Sequence, residues 1–266
     1  MRRKFMRELK AYNLPSSPGT DVSLAAVTEA DLAPLPETVR RYLRFMRVVG
    51  KPRDWSFRTR FNGLFRRSRT DPWMKCEVWQ YNSRPGVARI FYIQIRFFGI
   101  IPVLGRDIYA DGNGRMLIRL LDLFTVGDGT GEEYNIGELV TYLNDGVLIA
   151  PSMLLVPGVH WVEADADSFD VSISDHGRTV TARVFVDERG APVNFETTDR
   201  FFADQKDATK TTRCRWMTPV EGWHEVGGRM FPTRGQAIWM MPDGELPYAD
   251  FTFDPGSLVF NVPPAG

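Results

Sequence analysis

Five carboxylates sit in apolar or aromatic surroundings along this 266-residue chain: Asp107, Glu138, Asp145, Glu196 and Asp199. A carboxyl group held in a dry pocket loses hydration of its charged form, so its pKa climbs toward neutrality and it becomes suited to general acid or base work. In Val193-Asn-Phe-Glu-Thr-Thr-Asp-Arg-Phe201, a strand places Phe195, Thr197 and Asp199 on one face and Glu196, Thr198 and Arg200 on the other. Glu196 and Arg200 can therefore share a cavity, whereas Asp199 and Arg200 can do so only across a bulge. A cross-strand ion pair on a solvated face is the non-catalytic alternative for the same residues.

Other chemistries are poorly provided for. The chain has three histidines, His160, His176 and His224. His176 falls in an Asp-His-Gly turn; His160, beside Trp161, and His224, after Trp223, are better placed to face a hollow, and His160 joins the carboxylates as a catalytic candidate. There is no Gly-x-Ser-x-Gly elbow and no histidine pair at metal-helix spacing, so neither a hydrolytic triad nor a metal site is expected. Cys76 and Cys214 are too few for a disulfide scaffold; two buried free thiols or one bridge remain open.

Asp111-Gly112-Asn113-Gly114 poses a sharper question, because a glycine-rich turn can cradle phosphate. Phosphate loops run from a strand into a helix, and no Gly-Lys-Ser/Thr or dinucleotide spacing follows here. Asp-Gly and Asn-Gly between alternating runs are instead the residues of a hairpin tip. No nucleotide or other cofactor is expected.

These side chains need elements to position them, and the period of the chain changes accordingly. Residues 1–35 read as an extended arm, rich after position 15 in Pro, Ser, Ala and Thr. A helix follows from Pro36, with Val39, Tyr42, Leu43, Met46 and Val49 on one side and Arg40, Arg41, Arg44 and Arg47 on the other, stopped by Gly50 and Pro52. From Trp55 the period becomes two, through Trp73–Tyr81 and Val87–Phe97. After a polar loop from Gly127 to Glu133, a greasy helical insert is expected near residues 132–156, with Leu139, Val140, Leu143 and Val147 on one side; strand signals then return from His160 to Phe253.

The fold class that follows is mainly β, with α+β character. One strongly curved antiparallel sheet, or open β-barrel, spans residues 36–266 as a single domain, and the N-terminal helix and the helical insert close its cavity. Seven tryptophans and eighteen phenylalanines exceed what helix packing needs, and Trp73, Trp79, Phe91, Tyr109, Trp161 and Trp239 are the candidate ligand-binding lining. A solid aromatic core is the alternative.

Lys plus Arg and Asp plus Glu both number 33, so the formal charge is zero and nucleic acid is not an expected partner. The Arg stripe of the first helix could touch a membrane surface or a protein transiently. No run approaches the roughly 20 apolar residues of a membrane span, and the basic start Met1–Lys10 lacks the apolar stretch of a secretory leader, which places the protein in the cytoplasm if the N-terminus is complete.

Arg41-Tyr42-Leu43, Gly105–Met116, Gly137–Leu143, Pro151–Leu155, Phe231-Pro232 and Trp239 together resemble an uncharacterised bacterial family of unknown function, over residues 36 to 260. That family is similar in layout to the lipoprotein carriers of LolA/LolB type, half-open barrels around an apolar cavity closed by helices. The resemblance implies a ligand-holding shell and no established activity. Where the family has an Arg before the Tyr-Leu of the second helix and a Glu and Trp after it, this chain has Thr141, Asp145 and Leu148.

Three functions stay open on these grounds. One is a binding module for a hydrophobic small molecule of lipid, polyketide or terpenoid type. Another is a cofactor-independent isomerase, lyase or cyclase using pocket carboxylates, and the third is a structural or partner-binding β-domain.

Overall fold

The computed structural model describes residues 1–19, 24–97, 99–204 and 210–264. Six strands follow one another as a meander: β1 (Ser56–Phe65), β2 (Met74–Ser83), β3 (Ala88–Phe97), β4 (Ile101–Ala110), β5 (Asn113–Leu120) and β6 (Phe124–Gly129). After an 18-residue helix come β7 (Val159–Asp165), β8 (Ser168–Asp175), β9 (Arg178–Val186), β10 (Pro192–Ala203), β11 (Thr211–Met217), β12 (Arg234–Met241) and β13 (Gly244–Phe253). The hydrogen-bonded order is β6-β5-β4-β3-β2-β1-β13-β12-β11-β10-β9-β8-β7, antiparallel throughout. The last long strand, β13, therefore returns to pair with the first and joins the two meanders, a short strand Val259–Phe260 pairs with β1 beyond it, and β6 and β7 stay as unjoined edges of one curved sheet.

The Asp111–Gly112 corner is a hairpin tip. Ala110 pairs with Asn113, and Asp111 and Gly112 both take positive φ, at 49° and 72°, as a two-residue turn of this twist demands. It leads into strand β5, which removes the phosphate-loop reading. The stretch Phe124–Gly129, taken in part for a polar loop, is the edge strand β6; most of its residues are exposed, so no alternation marks it.

Among the described residues four α-helices accompany the sheet: α1 (Arg2–Ala11), α2 (Glu29–Leu32), α3 (Glu37–Phe45) and α4 (Glu132–Ile149). The expected extended arm over residues 1–35 is thus corrected at both ends by helices. Phe5 and Leu9 of α1 are fully buried against Ile90 and Tyr92 of β3 and Leu104 and Ile108 of β4, on the convex side of the sheet. That explains the apolar run Ile90–Ile93 in β3. Its odd positions Phe91, Ile93 and Ile95 face the concave side and its even positions Ala88, Ile90 and Tyr92 pack with α1, so both faces are covered there.

α4 crosses the concave face and touches β5, β10, β9 and β4. From Gly137 to Ile149 every residue is buried, which is why its sequence shows apolar residues all round as well as the expected stripe. Its start is fixed by Gly114, whose N–H donates to Asn135 Oδ1 at 2.7 Å; a Cβ there would stand 2.1 Å from the Tyr134 carbonyl oxygen. α3 is tied on by Tyr42, whose hydroxyl donates to the Val147 carbonyl at 2.8 Å. It ends at Phe45, short of the sequence expectation, because Arg47 turns into positive φ. The arginine stripe is already engaged: Arg40 pairs with Glu37, Arg44 with Glu29 and Arg47 with Glu225, while Arg41 donates to the Ala166 carbonyl.

Cys76 and Cys214 are free thiols, both buried, and burial pushes Cys76 up to about 12. Among the described residues no helix is long and apolar enough to cross a membrane.

Because α1 covers apolar surface that the sheet would otherwise expose, Phe5→Ala is expected to lower the free energy of unfolding by about 3 kcal/mol. Urea denaturation checks this, and an unchanged midpoint would show that the N-terminal helix is a loose attachment.

Candidate functional site

A cavity of about 260 Å³ lies between α4 and the concave side of the sheet, walled by Phe61, Phe91, Ile93, Ile118, Trp216 and Phe251 among others. Strand register builds it in rows. Gln80, Phe91, Asp107 and Met116 stand opposite one another across β2 to β5, and the neighbouring row runs Val78, Ile93, Gly105, Ile118. Gly105 is required where it stands: a Cβ would lie 2.7 Å from Ile93 Cγ2.

A buried polar cluster borders this largely apolar space. Arg89 of β3 is buried, and its Nε donates to Asp145 Oδ2 at 2.6 Å while Nη1 donates to Glu138 Oε2 at 3.1 Å. Gln80 and Asn82 also donate to Asp145 Oδ2, at 2.7 and 3.2 Å, and Thr141 Oγ1 donates to Glu138. Both carboxylates belong to α4, so the network fastens the helix to the sheet. Burial raises the Asp145 pKa although Arg89 and its other donors oppose the shift. For Arg89 burial works against the charge, but the attraction of Asp145 and Glu138 prevails and its pKa is raised.

Asp107 is the residue of this group that keeps chemistry in hand. It faces the cavity and, among the described residues, its carboxylate has no hydrogen-bond donor. Loss of hydration and the nearby charge of Glu138 push it up to about 7, against the pull of Arg89 and Arg200.

Arg200 reaches the same space by a backbone irregularity. The β10–β11 register shifts between Thr197 and Arg200, so Arg200 joins Phe195 and Thr197 on the inner side. The bulge is pinned by side chains: Thr197 Oγ1 donates to the Thr181 carbonyl at 2.6 Å, Asp199 Oδ2 accepts the Thr181 N–H at 2.9 Å, and Arg213 holds both Asp199 and the Thr198 carbonyl. Inside, the Arg200 guanidinium lies 4.4 Å from the Trp216 ring and 5.3 Å from that of Trp239.

The remaining sequence candidates divide. Asp107, Glu138 and Arg200 come together; Glu196 does not, because the bulge breaks its parity with Arg200 and it pairs outside with Arg215 at 2.7 Å. Asp199 is consumed by the bulge, and His160 is exposed on edge strand β7. Of the aromatic lining, Phe91 is in place. Trp79 has the opposite parity on β2 and packs outside against Phe5, ring centroids 5.8 Å apart, and Trp73 precedes the strand, exposed beneath Arg66. Tyr109 is a core residue bonded to Asp175 at 2.7 Å, and Trp161 packs with Tyr42 and Phe169. Trp239 stands behind the wall, stacked on Tyr248. Arg89 was missed, although a lone arginine at the head of an apolar β-run is a readable signal of a buried ion pair. No group of three or more metal-ligating side chains occurs among the described residues.

The chain belongs to a family of unknown function (DUF6544), whose model matches residues 25–251. Among solved structures, a LolA superfamily protein from Nitrosomonas europaea is similar over 88% of this chain and 93% of its own, at 10% identity and a TM-score of 0.41. No curated protein matches the sequence.

The Asp107 shift has a consequence for stability. An unfolded aspartate ionises near pH 4, whereas folded Asp107 ionises at about 7. Between those values the folded state holds a proton that the unfolded chain has lost, so this residue makes stability fall as pH rises. Asp107→Asn is expected to gain steadily on the native protein over that interval and to hold a constant advantage above it. Urea midpoints measured across the range would run parallel if the carboxyl were ordinary.

Proposed function

We propose that the protein holds a hydrophobic small molecule, of lipid, polyketide or terpenoid type, in the hollow between α4 and the sheet. The observation that carries this reading is the lining itself: aromatic and aliphatic side chains from both meanders converge on one space, with a few polar groups such as Gln80, Asp107 and Arg200 among them. Apolar walls supply affinity through surface removed from water, and a few polar groups set orientation. The curved sheet keeps the walls apart, and the Arg89 network holds the helix across them.

A second reading has one observation in its favour. Asp107 lies in the same space with a pKa near neutrality and, among the described residues, no donor to its carboxylate, as a general acid or base on a bound apolar substrate would. In this reading the protein is a cofactor-independent isomerase, lyase or cyclase, with Arg200 opposing charge that develops on the substrate.

Neutral N-phenyl-1-naphthylamine reports on the hollow by its fluorescence. Saturable binding is expected, weakened by about tenfold when Met116→Trp fills the lining, a loss of about 1.4 kcal/mol; native mass spectrometry of protein from its own host should show a copurified apolar compound. Absence of dye binding would sink the reading. Should that compound be converted on incubation, Asp107→Asn is expected to stop the conversion and retain the compound, which separates enzyme from carrier.

A further inference from the structure

Three arginines line the cavity: Arg67, Arg89 and Arg200. Arg67 bridges Asp71 at 3.1 Å, and Arg89 is held by two carboxylates. Arg200 is different. Its Nε is shut away from solvent without an acceptor, and among the described residues its guanidinium enters no hydrogen bond or ion pair. Trp216 and Trp239 face it with their rings, which offset part of the lost hydration but accept none of its N–H groups in plane. The residue is half-buried, and a guanidinium with an N–H shut away and unpaired is costly unless something completes it. The fold also goes out of its way to place it, since the pinned bulge in β10 turns a side chain inward that strand parity would send outward.

We propose that Arg200 is the headgroup anchor of the cavity and that the bound molecule is an apolar acid, its carboxylate paired with the guanidinium and its hydrocarbon body lying along Phe91, Ile93 and Phe251. This rests on the hydrophobic-ligand reading above and names the ligand class. A planar carboxylate matches the fork of a guanidinium in a way that an alcohol or an amine does not.

Asp107 makes the anchoring sensitive to protons. The groups whose charge it shares space with are Glu138 and Tyr134 of α4, Arg89 of β3, Arg200 of β10 and Tyr248 of β13. A carboxylate seated on Arg200 cancels the cation that favours ionised Asp107, so binding draws a proton onto Asp107. That proton can be donated to the ligand, and the affinity for an acid therefore declines as pH rises through about 7.

Isothermal titration of the full chain with decanoate, decanol and decylammonium tests the inference. Decanoate is expected to bind at least about tenfold more tightly than decanol, the difference that one charge-assisted hydrogen-bonded contact makes. Arg200→Gln should erase that gap, Arg200→Lys should keep part of it, and Asp107→Asn should flatten the pH dependence seen with decanoate. If Arg200→Gln fails to fold, the comparison of the three ligands on the native protein and on Arg200→Lys still decides. Equal binding of decanoate and decanol, or a preference for decylammonium, overturns the headgroup assignment and leaves the apolar cavity standing. Failure of all three to bind removes both.

Discussion

The guanidinium of Arg89 decides where α4 sits, and nearly everything on the concave side follows from that. It is a cation in the interior, and Glu138 and Asp145, seven residues apart on one helix, are the charges that make its burial tolerable. Removing Arg89 would leave two buried carboxylates without their cation, which costs several kcal/mol. An ion pair of this kind fixes register more than it adds stability: α4 can slide or rotate against aliphatic walls at small cost, but it cannot leave Arg89. Gly114 sets the helix start by close approach, and Tyr42 ties α3 to its far end. The space that remains between helix and sheet is the cavity.

Within that space the charges fall into two groups. Arg89, Glu138 and Asp145 satisfy one another and belong to the scaffold. Asp107 and Arg200 approach from different strands, lack hydrogen-bond partners among the described residues, and feel each other's charge. The first group is what a stable fold needs; the second is not explained by stability, and it is the part of the molecule on which a ligand would act.

The sequence made the architecture legible wherever a periodic signal existed. Alternation marked the strands, the Asp-Gly corner marked a hairpin, and the greasy run before Pro151 marked α4. It failed where a signal was local or needed a partner. Met1–Lys10 is charged and carries few apolar residues, so only the apolar strip between β2 and β4 reveals that Phe5 and Leu9 have somewhere to go. The site was half visible. Parity could not say which face of β2 is concave, which sent Trp79 to the wrong side, and one extra residue in β10 parted Glu196 from Arg200 and drew Asp199 into the bulge. A bulge leaves little trace in residue types, since Thr-Thr-Asp is as acceptable in a regular strand as in an irregular one.

The two unjoined edges bear on what the hollow can accommodate. In a closed barrel the girth is fixed by strand number and stagger, and widening it means breaking a ring of backbone hydrogen bonds. Here β6 and β7 end the sheet, and the spacing between its arms is held by the side chains of α4. Rotamer changes along that helix can alter the width of the cavity while every strand pairing stays intact, so its calibre is adjustable where that of a sealed cylinder is not.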